Sequence, residues 1–109
     1  MQDGLYKVTF RVGTDYGCGV VTLSEGKVAG GDGGFFYVGA LNVQGTVITG
    51  QVDIRQHTAG AENVFAGLTN FRLTFNGQVG SDTSARLQGA TASAMGQTVW
   101  IDLELLQAL

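Results

Sequence analysis

At 109 residues and 44% apolar content the chain is long enough for one domain with its own core, and short enough that it holds a single site at most. Glycine supplies 18 residues and proline none, which excludes the proline-glycine mixture of a disordered tract. A net charge of −3, with only Lys7, Arg11, Lys27, Arg55, Arg72 and Arg86 as cations spread singly along the chain, excludes the clustered basic patch that phosphate-backbone binding requires, so no direct nucleic-acid contact is expected.

The first residues, Met1-Gln2-Asp3-Gly4-Leu5-Tyr6-Lys7, carry no positive segment followed by an apolar one. No stretch approaches the roughly 20 apolar residues of a membrane-spanning helix. The expectation is a cytoplasmic protein without membrane contact. The single Cys18 has no internal disulfide partner, in keeping with a reducing compartment.

Residues 5–12 alternate strictly, Tyr6, Val8, Phe10 and Val12 against Lys7, Thr9 and Arg11, the pattern of a half-buried strand. Residues 13–17 read as a turn and 18–24 as a second strand built on Val20, Val21 and Leu23. Glu25-Gly26 is a two-residue hairpin loop, and Lys27-Val28-Ala29 pairs back as a short third strand. Gly30-Gly31-Asp32-Gly33-Gly34 then reads as a structural corner in which Asp32 accepts local backbone N–H bonds.

Residues 35–41 form a fourth strand with Phe35, Tyr37 and Leu41 on one face and Phe36, Val38 and Ala40 on the other. Asn42-Val43-Gln44-Gly45 is turn chemistry, and residues 46–55 alternate Ile48, Val52 and Ile54 against Thr49, Gln51, Asp53 and Arg55 as a fifth strand. Residues 56–67 fit a strand poorly. Over 61–66 they favour a helix of one or two turns, stopped by Gly67. Residues 70–76 form a sixth strand ended by Asn76-Gly77, residues 82–92 a seventh around Leu87, and residues 97–106 an eighth with Val99, Ile101, Leu103 and Leu105 on one face, trailing into a helical turn at the C-terminus.

Eight short strands about ten residues apart allow a sandwich or an up-and-down antiparallel barrel. Mid-strand Gly39, Gly50 and Gly89 favour the barrel, because they let a sheet curl until its edges close. The fold class is therefore all-β, a single eight-stranded barrel domain over 1–109, with an interior either filled by side chains or able to hold one small ligand.

Catalytic and metal chemistry have little to build on. His57 is the lone histidine and reads as an ordinary loop residue, and Cys18 lacks a basic neighbour that would lower its pKa. One Cys and one His fall short of a zinc set, Asp15 and Asp32 lack calcium-loop spacing, and the glycines match neither a P-loop nor a dinucleotide fingerprint. No cofactor and no enzymatic activity are expected. Exposed apolar residues are more informative. If Tyr6, Val8 and Phe10 point inward, either Phe35 and Tyr37 or Phe36 and Val38 must point out, and Trp100 and Leu106 raise the same question on strand eight. Phe35, Phe36, Tyr37 and Trp100 are the candidate protein-contact residues.

In order and spacing, Gly4-Leu5-Tyr6-Lys7-Val8-Thr9-Phe10, Gly19-Val20-Val21-Thr22-Leu23, Gly26, Gly30-Gly31-Asp32 and Tyr37-Val38-Gly39 resemble the type III secretion system negative-regulator (GrlR-like) family. The resemblance is dense over about the first 40 residues and rests on strand count and length beyond them. It implies a lipocalin-like eight-stranded barrel of bacterial origin, a homodimer without catalysis. It also implies a regulator of type III secretion genes that works by binding a transcriptional activator. The family credits recognition of its activator to an acidic turn, which falls here at Asn42-Val43-Gln44-Gly45 and carries no acidic residue. Those four residues join the candidate contact surface on that ground. The alternative is a carrier or sensor for a small apolar ligand, drawn from barrel geometry and the Phe71, Leu73 and Phe75 face.

Overall fold

The computed structural model describes residues 1–65 and 67–109. Among them eight strands run in chain order around a closed antiparallel barrel: β1 Gly4–Val12, β2 Asp15–Ser24, β3 Lys27–Gly31, β4 Phe35–Gln44, β5 Val47–Gln56, β6 Asn70–Ser81, β7 Ser84–Ala90 and β8 Val99–Ala108. Every strand pairs with its sequence neighbour, and β1 closes the ring against β8 through pairs such as Val8 with Leu103 and Phe10 with Ile101. The up-and-down barrel is thus the fold, and period-two alternation is what builds it. Tyr6 and Val8, Val21 and Leu23, Phe35 and Tyr37, Phe71, Leu73 and Phe75, and Val99, Ile101 and Leu103 all bury inward, while most of their neighbours are exposed.

Outward positions carry Lys7, Arg11, Arg55, Arg72, Arg86 and Glu104, the reverse of the apolar outer band of a lipid-facing barrel. Among the described residues no helix is long and apolar enough to cross a membrane. Two cross-strand ion pairs lace this surface, Arg72 with Asp53 and Arg86 with Asp102, each at 2.8 Å. The Arg72 guanidinium holds the Asp53 carboxyl below its ordinary range.

The two ends of the barrel differ. At the lower end the hairpins are tight, and Glu25 and Gly26, with φ of 52° and 79°, make the primed turn expected there. The N-terminal segment folds beneath this end: the Gln2 amide donates to the Asp82 carbonyl at 2.9 Å, the Tyr6 hydroxyl to the Gln2 carbonyl, and the Leu109 amide to the Asp3 carbonyl at 3.2 Å. At the upper end residues 32–34, 57–69 and 91–98 form longer connections.

Several boundaries move from their sequence-based positions. β2 begins at Asp15, so the turn before it is only Gly13-Thr14. Asn42, Val43 and Gln44 belong to β4, and the reversal is made by Gly45 with φ of 64°. Asn76-Gly77 does not turn the chain, because β6 runs through it to Ser81; a Cβ on Gly77 would lie 2.1 Å from the Arg86 carbonyl oxygen, so glycine serves close strand approach there. The helix expected over 61–66 is absent over 61–65, where backbone bonding is local and irregular, and Ala66 lies outside the described residues. The helical turn among the described residues is instead Ala92–Ala94, capped by the Thr91 hydroxyl accepting from the Ser93 amide at 3.3 Å. The C-terminus stays in β8 through Ala108, held by pairing with Gly4 and Leu5 of β1.

Candidate functional site

The glycine corner is shorter and more specific than its composition implies. Gly30 and Gly31 belong to β3, and none of Gly30, Gly31, Gly33 and Gly34 has positive φ. Gly30 and Gly31 are glycine for want of room: a Cβ on Gly30 would sit 2.1 Å from the Val20 carbonyl oxygen and one on Gly31 2.4 Å from that of Phe35. The corner itself is Asp32-Gly33-Gly34, and Asp32 organises it as expected. Its carboxylate accepts from the Gly34 and Phe35 amides, both at 2.9 Å, and from the Tyr37 hydroxyl. Burial, then the hydrogen bond and negative charge of Asp32, hold the Tyr37 hydroxyl well above its ordinary pKa.

The same corner anchors the connection over the barrel's upper end. The Gly34 carbonyl accepts from the His57 amide at 2.9 Å and from Thr58 at 3.3 Å, and the His57 Nε2 lies 3.0 Å from the Asp32 carbonyl oxygen. His57 Nδ1 meets the Thr58 hydroxyl at 2.8 Å, so both ring nitrogens serve the loop. Beyond this anchor Asn63 makes an Asx turn to the Phe65 amide and drops the Phe65 ring into the barrel, 2% exposed, edge-on to Phe71 with ring centroids 5.5 Å apart.

Phe65 lines an interior pocket of about 90 Å³, partly open to solvent, to which every strand contributes wall residues. Its lining is aliphatic and aromatic, with Val8, Val52, Leu73 and Leu103 on the sides and Phe35, Phe65 and Tyr37 toward the upper end. The polar groups of its lining residues, on Tyr6, Asp32, Tyr37 and Asn63, already bond one another or backbone.

The structure divides the candidate contact residues. Phe35 and Tyr37 are buried in the core, so they are not surface residues; Phe36 and Val38, their neighbours in the pleat, point outward. Phe36 lies in one cross-strand row with Gly31 and Val20, and Val38 in the next with Ala29 and Thr22. The result is an apolar face over β2, β3 and β4, with Val20 (44% exposed) on one side, Phe36 (39%) and Val38 (51%) on the other, and only Ala29 and Gly31 between them. Trp100 is outward too, but it sits opposite Arg11 and Gln88 on β8, four strands around the ring from Phe36. Asn42, Gln44 and Gly45 are exposed at the lower end and Val43 turns half-inward; at about 3.4 Å per residue, Gln44 is about 27 Å along β4 from Phe36.

Val20, Ala29 and Gly31 were not among the sequence candidates, although one signal was available. Val20 and Val21 are consecutive in a strand, so one of them had to face out. Cys18, on the outward side of β2 two residues before Val20, is an exposed free thiol at the edge of this face. Compared with models of known protein families and with curated proteins, the chain matches none.

Proposed function

We propose that this protein is a non-enzymatic regulatory or adaptor protein of the cytoplasm that acts by binding protein, and that it forms a homodimer. The observation that carries the reading is the outward apolar face of Val20, Phe36 and Val38 on three adjacent strands of a barrel whose remaining outer positions are mostly polar or charged. Single exposed apolar residues are ordinary, whereas a contiguous set marks a contact surface.

Shape favours a second copy of the chain as the occupant. A two-fold axis along β3 sets the Phe36 and Val38 ridge of one copy against Val20 of the other across the Ala29 and Gly31 trough, the self-complementarity of an isologous interface. The resemblance of residues 4–39 to negative regulators of type III secretion supplies the regulatory part and names a transcriptional activator as the class of further partner.

Cys18 tests the homodimer directly. Its maleimide labelling rate is expected to fall as protein concentration rises through the association range, because the partner copy covers the edge of the face. A rate independent of concentration, up to hundreds of micromolar, contradicts the reading.

A further inference from the structure

We propose that the barrel interior is a binding site for one small, uncharged, apolar molecule the size of a single ring, independent of the protein-binding face. The pocket of about 90 Å³ far exceeds the roughly 10–15 Å³ that one water needs. Water is nevertheless a poor occupant, because it requires two to four polar partners. The Asp32 carboxylate already accepts three hydrogen bonds, the Tyr37 hydroxyl donates to it, and Asn63 is bonded through both ends of its amide. Among the described residues no buried side-chain polar atom lacks a partner.

A space with that lining selects against charge as well. An ion brought into it has no counter-charge except Asp32, and burying it unpaired costs far more than the cavity's contacts return. Apolar voids of roughly 150 Å³ stay dry and take up benzene or xenon, whereas sites for drug-sized ligands run to roughly 300–1,000 Å³. At about 90 Å³ the space admits one compact ring or a comparable atom-like guest and excludes a fatty acyl chain. Phe65 sets that limit from above. Its ring fills the upper end against Phe71, in a segment held by the Asp32 and Gly34 anchor and by Gln56 of β5, whose side chain donates to the Ala61 carbonyl at 2.9 Å. Phe35 and Tyr37, which the guest meets, are the inward neighbours of outward Phe36, so guest and protein partner contact opposite sides of one strand.

Methyl-labelled protein titrated with benzene, and separately pressurised with xenon, tests the site without any substitution. Saturable shifts at the inward methyls of Val8, Val52, Leu73 and Leu103 are expected, with outward Val20 and Val38 unmoved and a melting temperature that rises with benzene concentration. Naphthalene is expected to leave the native protein's spectrum unchanged and to bind the Phe65→Ala variant. Absence of saturable shifts with both benzene and xenon, or shifts centred on Val20 and Val38, overturns the proposal. Equal binding of benzene and naphthalene by the native protein overturns the size limit, and this comparison needs no folded variant.

Discussion

Replacing Val52 by isoleucine adds one methylene to the cavity wall, and the sign of its effect separates an empty interior from a filled one. Val52 is buried on β5, lines the cavity and faces Gly39 across the β4 and β5 ladder, so no side chain from that direct neighbour competes for the space. Isoleucine keeps the β-branch and the strand preference, leaving volume as the variable. At about 24 cal/mol per Å³, an unfilled pocket of about 90 Å³ corresponds to at most about 2 kcal/mol of stability not realised. One buried methylene should recover about 0.8 kcal/mol, a rise of about 3–6 °C in melting temperature for a domain of this size. Urea denaturation read by Trp100 fluorescence and far-ultraviolet circular dichroism measures it, with an unchanged m-value confirming that stability alone has moved. Ala85→Val is the control: Ala85 is buried away from the cavity, and overpacking there should cost about 1–3 kcal/mol. If Val52→Ile also loses 1 kcal/mol or more, the interior is already packed and holds no space for a guest.

The corner and the bending glycines make opposite predictions for the same substitution. Gly33→Ala enters open space at a backbone angle any residue adopts and should be neutral or stabilising by about 0.4–1 kcal/mol in a thermal melt. Gly39→Ala places a methyl 2.1 Å from the Gln51 carbonyl oxygen and should cost about 1–3 kcal/mol or prevent folding. Tyr37 adds a pH dependence. Its hydroxyl titrates higher in the fold than in the unfolded chain, so its stabilisation is complete below about pH 10 and is lost as pH rises toward the folded value; Tyr37→Phe should flatten that alkaline decline, and Tyr6, shifted the same way by burial, should leave a residue of it. An unchanged alkaline slope in Tyr37→Phe contradicts the burial and hydrogen bonding given to that hydroxyl. Asp32→Ala removes the acceptor of two amides and one hydroxyl and should raise hydrogen exchange at His57 and Thr58 more than at Val8 or Leu103 in the barrel wall.

The barrel was legible because its signal is local. Residues 6–12, 70–75 and 99–105 alternate without interruption, and mid-strand Gly39 and Gly50 mark where the sheet bends so closely that a Cβ would strike the next strand. Turn chemistry misled where glycine had two uses. Asn76-Gly77 resembles a reversal and is a close approach, and Gly30 and Gly31 resemble a loop and are strand, because sequence does not distinguish a glycine needed for positive φ from one needed for room. The contact face was half legible: alternation required one of each pair along β4 to face out, but which one depended on closure against β3 and β5. Residues 61–65 have helix-compatible composition, and tertiary demands override it, since Asn63 and Phe65 are fixed by an Asx turn and by burial of the phenyl ring. The cavity was not legible at all. Its volume is the remainder after many side chains have taken their places, and no short motif encodes a remainder.

Sedimentation equilibrium of the native chain and of Val38→Glu tests the central claim most directly. Val38 is half exposed in the single barrel and pairs with Asp53 of β5, so the glutamate should cost folding no more than about 1 kcal/mol while placing a charge on the β4 ridge of the proposed interface. The native protein is expected to sediment at twice 11.4 kDa and the variant at 11.4 kDa, with an unchanged circular dichroism spectrum. A native protein that sediments at 11.4 kDa at hundreds of micromolar, or a Val38→Glu variant that stays dimeric, contradicts that claim.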